Sequence, residues 1–119
     1  MKIPLIEPYF AASTTGVDGE WRINCRNRGI PILSLTVVDS IILGYNYDPS
    51  IADIYRRDSS WYIIVPATGD ELQYDSFADF SRVSDSLIGG KANLRDVRVL
   101  FNEYARQGYL NWFPEELRR

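Results

Sequence analysis

Residues 61–74, Trp61-Tyr62-Ile63-Ile64-Val65-Pro66-Ala67-Thr68-Gly69-Asp70-Glu71-Leu72-Gln73-Tyr74, run directly into 75–90, Asp75-Ser76-Phe77-Ala78-Asp79-Phe80-Ser81-Arg82-Val83-Ser84-Asp85-Ser86-Leu87-Ile88-Gly89-Gly90. The first run is β-branched and aromatic, and Pro66 stops it, so Trp61–Val65 reads as a strand. Ala67 to Asp70 turn the chain into Glu71–Tyr74, a shorter and more polar strand suited to a sheet edge. The apolar period then changes to that of a helix. Phe77, Phe80, Ser84, Leu87 and Ile88 share one face, Asp75 or Ser76 caps the start, and Gly89-Gly90 supplies the left-handed stop. A hairpin running into an amphipathic helix fixes a mixed architecture but is too generic to carry a function.

Upstream, Trp21, Ile23 and Cys25 alternate with Arg22, Asn24 and Arg26, a strand with one apolar and one wet face. Asn27-Arg28-Gly29 forms a hairpin loop. Pro31 to Val38 is almost uniformly apolar and reads as one central strand buried on both faces. Asp39-Ser40 turns the chain, and Ile41, Leu43, Tyr45 and Tyr47 alternate through a third strand. Asp48-Pro49 starts a short mid-chain helix that runs to about Arg57. Residues 7–19 are rich in Ser, Thr and Gly and read as a surface loop or arm.

Downstream, Asn93 is the expected cap of a second C-terminal helix over 94–107. Leu94, Val97, Phe101 and Tyr104 form its inward stripe, and Gly108 ends it. Residues 109–119 are a tail in which Pro114-Glu115-Glu116 can start one helical turn. With strands first and helices late, the expected fold is α+β. It is a twisted, mostly antiparallel sheet of about five strands, with the short mid-chain helix and the two C-terminal helices packed on one face. The expected core is Trp21, Ile23, Leu33, Leu35, Val37, Leu43, Ile63, Val65, Phe80, Leu87, Val97, Phe101 and Tyr104.

The chain of 119 residues fits one domain, 1–119, with enough surface to bury to fold without metal or disulfide support. It contains no histidine and one cysteine, Cys25. That composition excludes Ser-His-Asp triads, Cys-His pairs and His- or Cys-rich zinc sites. Cys25 alternates with Trp21 and Ile23 and reads as a small buried hydrophobe. No cofactor and no metal is expected. Gly89-Gly90-Lys91 lacks the upstream glycine and the following Ser or Thr of a phosphate-binding loop, and it follows a helix. The first eight residues do not read as a signal peptide, and the Ile30–Gly44 run reads as too interrupted to span a membrane. The default reading is a cytoplasmic protein.

Carboxylates are the acid–base groups left. Asp70, Glu71, Asp75, Asp79 and Asp85 against Arg82 give the 70–85 stretch a net charge of −4. Asp75 and Asp79 lie one helical turn apart, opposite the apolar stripe. That placement suits a solvated face better than a catalytic dyad, whose acid needs burial to raise its pKa. A carboxylate-dependent hydrolase is therefore the third-ranked reading. Arg95, Arg98 and Arg106 lie along one side of the last helix and form the candidate cationic face. Arg22, Arg26 and Arg28 form a second cluster, and Arg56-Arg57 a third. These make a nucleic-acid-associated protein, using helix 94–107 or hairpin 20–30, the second reading, although the net charge of −3 counts against it.

The leading reading is a non-enzymatic protein-binding module of inhibitor, immunity or adaptor type. Eleven of the 13 basic residues are Arg, and the chain carries three Trp, eight Tyr and five Phe. Arg, Tyr and Trp dominate interface hot spots. Tyr47, Tyr62 and Trp112 are the candidate aromatic anchors. The acidic stretch Asp70, Glu71, Asp75 and Asp79 suits a basic protein partner. Self-association through the Glu71–Tyr74 edge or the Trp112-Phe113 tail is compatible with each reading.

Overall fold

The computed structural model describes residues 1–25, 28–48 and 59–118. The expected helix after Asp48, to about Arg57, the Asn27 turn, Arg26 and the Arg56-Arg57 pair lie outside the described residues, as does the side chain of Arg28.

The fold is α+β, but its strands form two antiparallel sheets. The first contains β1 (Lys2–Pro4), β2 (Phe10–Ala12), β3 (Trp21–Cys25) and β4 (Arg28–Ile32), in that spatial order. The second has the order β8-β7-β6-β5-β9, from β5 (Ser34–Val38), β6 (Ile41–Tyr47), β7 (Ser59–Val65), β8 (Asp70–Tyr74) and the short β9 (Arg95–Asp96). Two helices, α1 (Phe77–Ile88) and α2 (Val97–Gln107), and a final 3-10 turn (Glu115–Leu117) follow among the described residues.

The expected single strand over 31–38 is a correction. The chain bends at Leu33, leaving one sheet and entering the other. Ile30 and Ile32 are buried on even positions of β4, whereas Leu35 and Val37 are buried on odd positions of β5. A continuous strand cannot put both sets on one face, so a one-residue phase shift at Leu33 turns both halves toward a shared core. Pro31 has no N–H to donate, and β4 is accordingly a sheet edge. Leu33 itself is 45% exposed, although its N–H donates to the Tyr45 carbonyl (2.8 Å) and its carbonyl accepts from the Val97 N–H (2.9 Å).

Two cores result. Between the sheets lie Ile3, Ala11, Trp21, Ile23, Ile30, Ile32, Leu35, Val37, Ile42 and Ile64, closed by Val97 and Leu100 of α2 and by Leu110. On the other face of the second sheet, Ile41, Leu43 and Ile63 pack against Phe80 of α1. The pairs Ile42-Leu43 and Ile63-Ile64 are consecutive and fully buried because this sheet is covered on both sides. The helices therefore do not share a face: α1 covers the outer side of the second sheet, and α2 closes the core between the sheets.

Further expectations change for local reasons. Residues 7–19 are not one loop, since Phe10–Ala12 pair with β1 and β3 and bury Ala11. Leu87 is 45% exposed, at the margin of the α1 stripe. Asn93 does not cap α2, because β9 pairs with β5 first and Asp96 then accepts from the Arg98 N–H at 2.8 Å. Ser76 caps α1, and Gly89 and Gly108 end the two helices at φ 68° and 86°. The tail is tied down by buried Leu110, by the Trp112 indole donating to the Pro4 carbonyl at 3.2 Å, and by Arg118 donating to the Phe113 carbonyl at 2.7 Å.

The sheets approach closely at Gly44 of β6. A Cβ there would stand 2.4 Å from Ile32 Cδ1, inside the buried core. Gly44→Val is expected to cost about 1–3 kcal/mol through overpacking. The midpoint of urea unfolding measures it, and a change within ±0.5 kcal/mol would refute the contact.

Candidate functional site

The strand alternation of β8 divides the acidic stretch. Asp70, Leu72 and Tyr74 alternate onto the face that α1 covers, whereas Glu71 pairs beside Ile64 and turns inward. Glu71 is half-buried and accepts a hydrogen bond from the Tyr9 hydroxyl at 3.0 Å. It therefore does not join the exposed acids as the sequence led one to expect. Asp70 is exposed and accepts from the Thr68 hydroxyl at 2.9 Å. Asp75 and Asp79 are exposed on either side of Phe77, and Asp79 stands 3.6 Å from Arg82. Asp79 also lies in the first turn of α1, where the helix dipole favours a carboxylate.

Burial, then the Glu71 carboxylate, push the Tyr9 phenol up to about 12. Cys25, half-buried and not fully inside as expected, adds to this shift. The folded state keeps Tyr9 protonated to higher pH than the unfolded chain does. Its contribution to stability is complete below pH 10 and is lost as pH rises from there through about 12. The unfolding midpoint should fall more steeply over that window in the wild type than in Tyr9→Phe. Equal slopes would remove the assignment.

The cationic face is largely matched within the chain. Arg95 belongs to β9, not to the helix, and donates to Glu103 at 2.5 Å. Beside Arg95, the Glu103 carboxyl is held below the usual carboxylate range. Arg98 forks onto Asp96 at 2.9 and 3.2 Å and holds its carboxyl low in the same way. Arg106 is exposed in the last turn of α2. Two of the three Arg residues are thus already paired with carboxylates, which weakens the field they offer a phosphate.

The aromatic anchors separate too. Tyr62 is half-buried against the inner core, and Trp112 packs with Phe113 at 6.4 Å. Tyr47 is 42% exposed, at the end of β6. An aromatic tier that the sequence did not single out lies on the outer face of the second sheet. Cross-strand neighbours Tyr45 and Trp61 have ring centroids 5.2 Å apart, and Trp61 backs Phe77 at 5.8 Å and Phe80 at 6.5 Å. Phe77 belonged to the inward stripe by its spacing. As the first residue of α1 it is instead 60% exposed.

Leu72, exposed on the same face of the edge strand, extends this apolar surface. The result is an aromatic platform with a rigid base, an exposed tip and carboxylates at its margin. Among the described residues, no cluster of three or more Cys, Asp or Glu side chains stands ready to hold a metal ion, and no helix is long and apolar enough to cross a membrane. Comparisons with protein-family models, curated proteins and solved structures find no match for this chain.

Proposed function

We propose that the protein is a non-catalytic protein-binding module, of inhibitor, immunity or adaptor type, that docks a basic partner on the α1–β8 face. The observation that carries this reading is Phe77, 60% exposed yet held from behind by Trp61. An exposed aromatic ring that is already immobilised loses little entropy on binding, which is the character of an interface anchor. Leu72 extends the apolar contact, and Asp70 and Asp79 supply acidic groups at its margin. Opposite charge on the partner would speed association.

The nucleic-acid reading is disfavoured by the Arg95–Glu103 and Arg98–Asp96 pairs. A hydrolase reading is disfavoured because Glu71 meets a phenol and Asp79 meets a guanidinium. The test is a photo-crosslinker at Leu72 and another at Arg106, each in the full chain in native lysate. A discrete protein adduct at Leu72, with dissociation accelerated by Phe77→Asp, supports the reading. Adducts at Arg106 alone, or binding indifferent to Phe77→Asp, would overturn it.

A further inference from the structure

We infer that a second site, the groove at the Leu33 bend, receives an arginine or lysine side chain from a protein partner. The groove has a volume of about 530 Å³, within the range of small-ligand sites. Leu33 and Pro31 line it on the crossing strand, and Asp18, Glu20, Arg22, Asp48 and Arg98 bring charge to it. Leu33 is exposed there while both of its backbone groups are bonded, so its side chain presents a fixed apolar surface.

The charges determine what fits. Arg22 is paired with Glu20 at 2.8 Å, and Arg98 is forked onto Asp96. Both guanidinium groups are matched, so an anionic ligand would have to displace a carboxylate. Asp18 has no ion pair among the described residues, and it lies close enough to Arg98 to help raise the Arg98 pKa. The unmatched charge is therefore negative and sits beside an apolar surface. An aliphatic stem with a cationic head has that same two-part chemistry. The stem would lie along Leu33 and Pro31, with its head at Asp18. This site involves none of the residues of the α1–β8 face, so the two readings fail separately.

The test is an amide NMR titration of the full chain with acetyl-Leu-Arg-Leu-amide, its glutamate and norleucine counterparts, and agmatine, a guanidinium amine without a peptide backbone. The arginine peptide should shift the amides of Asp18, Arg22, Leu33 and Arg98, and the glutamate peptide should not. Asp18→Asn should weaken the arginine peptide about 2–5-fold, the range of one exposed ion pair, and moderate salt should have a similar effect. Asp18 is exposed, so the variant should keep its melting temperature. The inference is overturned by the absence of groove shifts at millimolar peptide, by equal shifts from the norleucine or glutamate peptide, or by an unaltered Asp18→Asn affinity. Agmatine binding as tightly as the arginine peptide would also overturn it, because the occupant would then be a small amine and not a protein.

Discussion

Trp21→Ala is expected to lose about 3–5 kcal/mol of folding stability, the usual cost of truncating a large buried aromatic residue. Trp21 is 2% exposed in the core between the sheets. Its ring lies 5.4 Å from that of Phe101, and its indole N–H donates to the Val17 carbonyl at 2.8 Å. One side chain thus joins β3 to α2 and to the loop that follows β2. Removing it leaves a cavity that two sheets of fixed register cannot close. A domain of this size has roughly 5–15 kcal/mol in total, so the alanine variant is expected to be at best marginally folded. Trp21→Phe keeps most of the apolar contact and leaves the Val17 carbonyl without its donor, at about 1–3 kcal/mol. Urea unfolding followed by far-UV circular dichroism measures both. A loss below about 1 kcal/mol for the alanine variant would show that the sheets are held together elsewhere.

Phe77→Asp is expected to weaken partner binding by about 2–4 kcal/mol, roughly 30- to 1,000-fold in Kd. The replacement removes the exposed tip of the aromatic tier and places a charge where the partner must be desolvated. Its effect on folding should stay within about 1 kcal/mol, since Phe77 is 60% exposed and an acid in the first turn of a helix is favourable. Binding and stability are therefore separable in this variant. Phe77→Tyr should retain most of the affinity because the ring remains against Trp61. Asp70→Asn with Asp79→Asn should slow association and flatten its salt dependence while changing dissociation little. Competition between wild type and Phe77→Asp for the captured protein, followed by surface-based kinetics, reads these effects. Wild-type affinity in Phe77→Asp would remove the α1–β8 face as the docking surface.

Elements whose cause is local were legible in the sequence. The Trp61–Tyr74 hairpin, the Ser76 cap, the Gly89 and Gly108 stops and the Glu115–Leu117 turn follow from side chains near the backbone they control. The Asp39-Ser40 turn is of the same kind, with φ angles of 51° and 63° that only a few residue types tolerate. The bend at Leu33 left a trace as well: apolar residues at 30 and 32 and then at 35 and 37 break the alternation. A uniformly apolar run concealed it. β1 and β2 carried almost no signal, because three-residue strands are too short to show a period.

The candidate sites divide along the same line. Composition and local pattern alone placed the α+β class, the chain's narrow set of ionisable groups and its stock of Arg and aromatic residues. Which of those residues meet was decided by the tertiary fold. Glu71 turned from the acidic stretch to Tyr9 because β8 pairs in the register that sets it beside Ile64. Arg95 and Arg98 were neutralised by Glu103 and Asp96 once β9 fixed the start of α2. Phe77, the first residue of α1, rests one side of its ring near Trp61 and leaves the rest exposed, whereas Phe80 one turn on is buried. A sequence specifies periods and caps through neighbours a few residues apart. Exposure and ion pairing depend on register and on the stacking of layers, which bring together residues far apart in the chain.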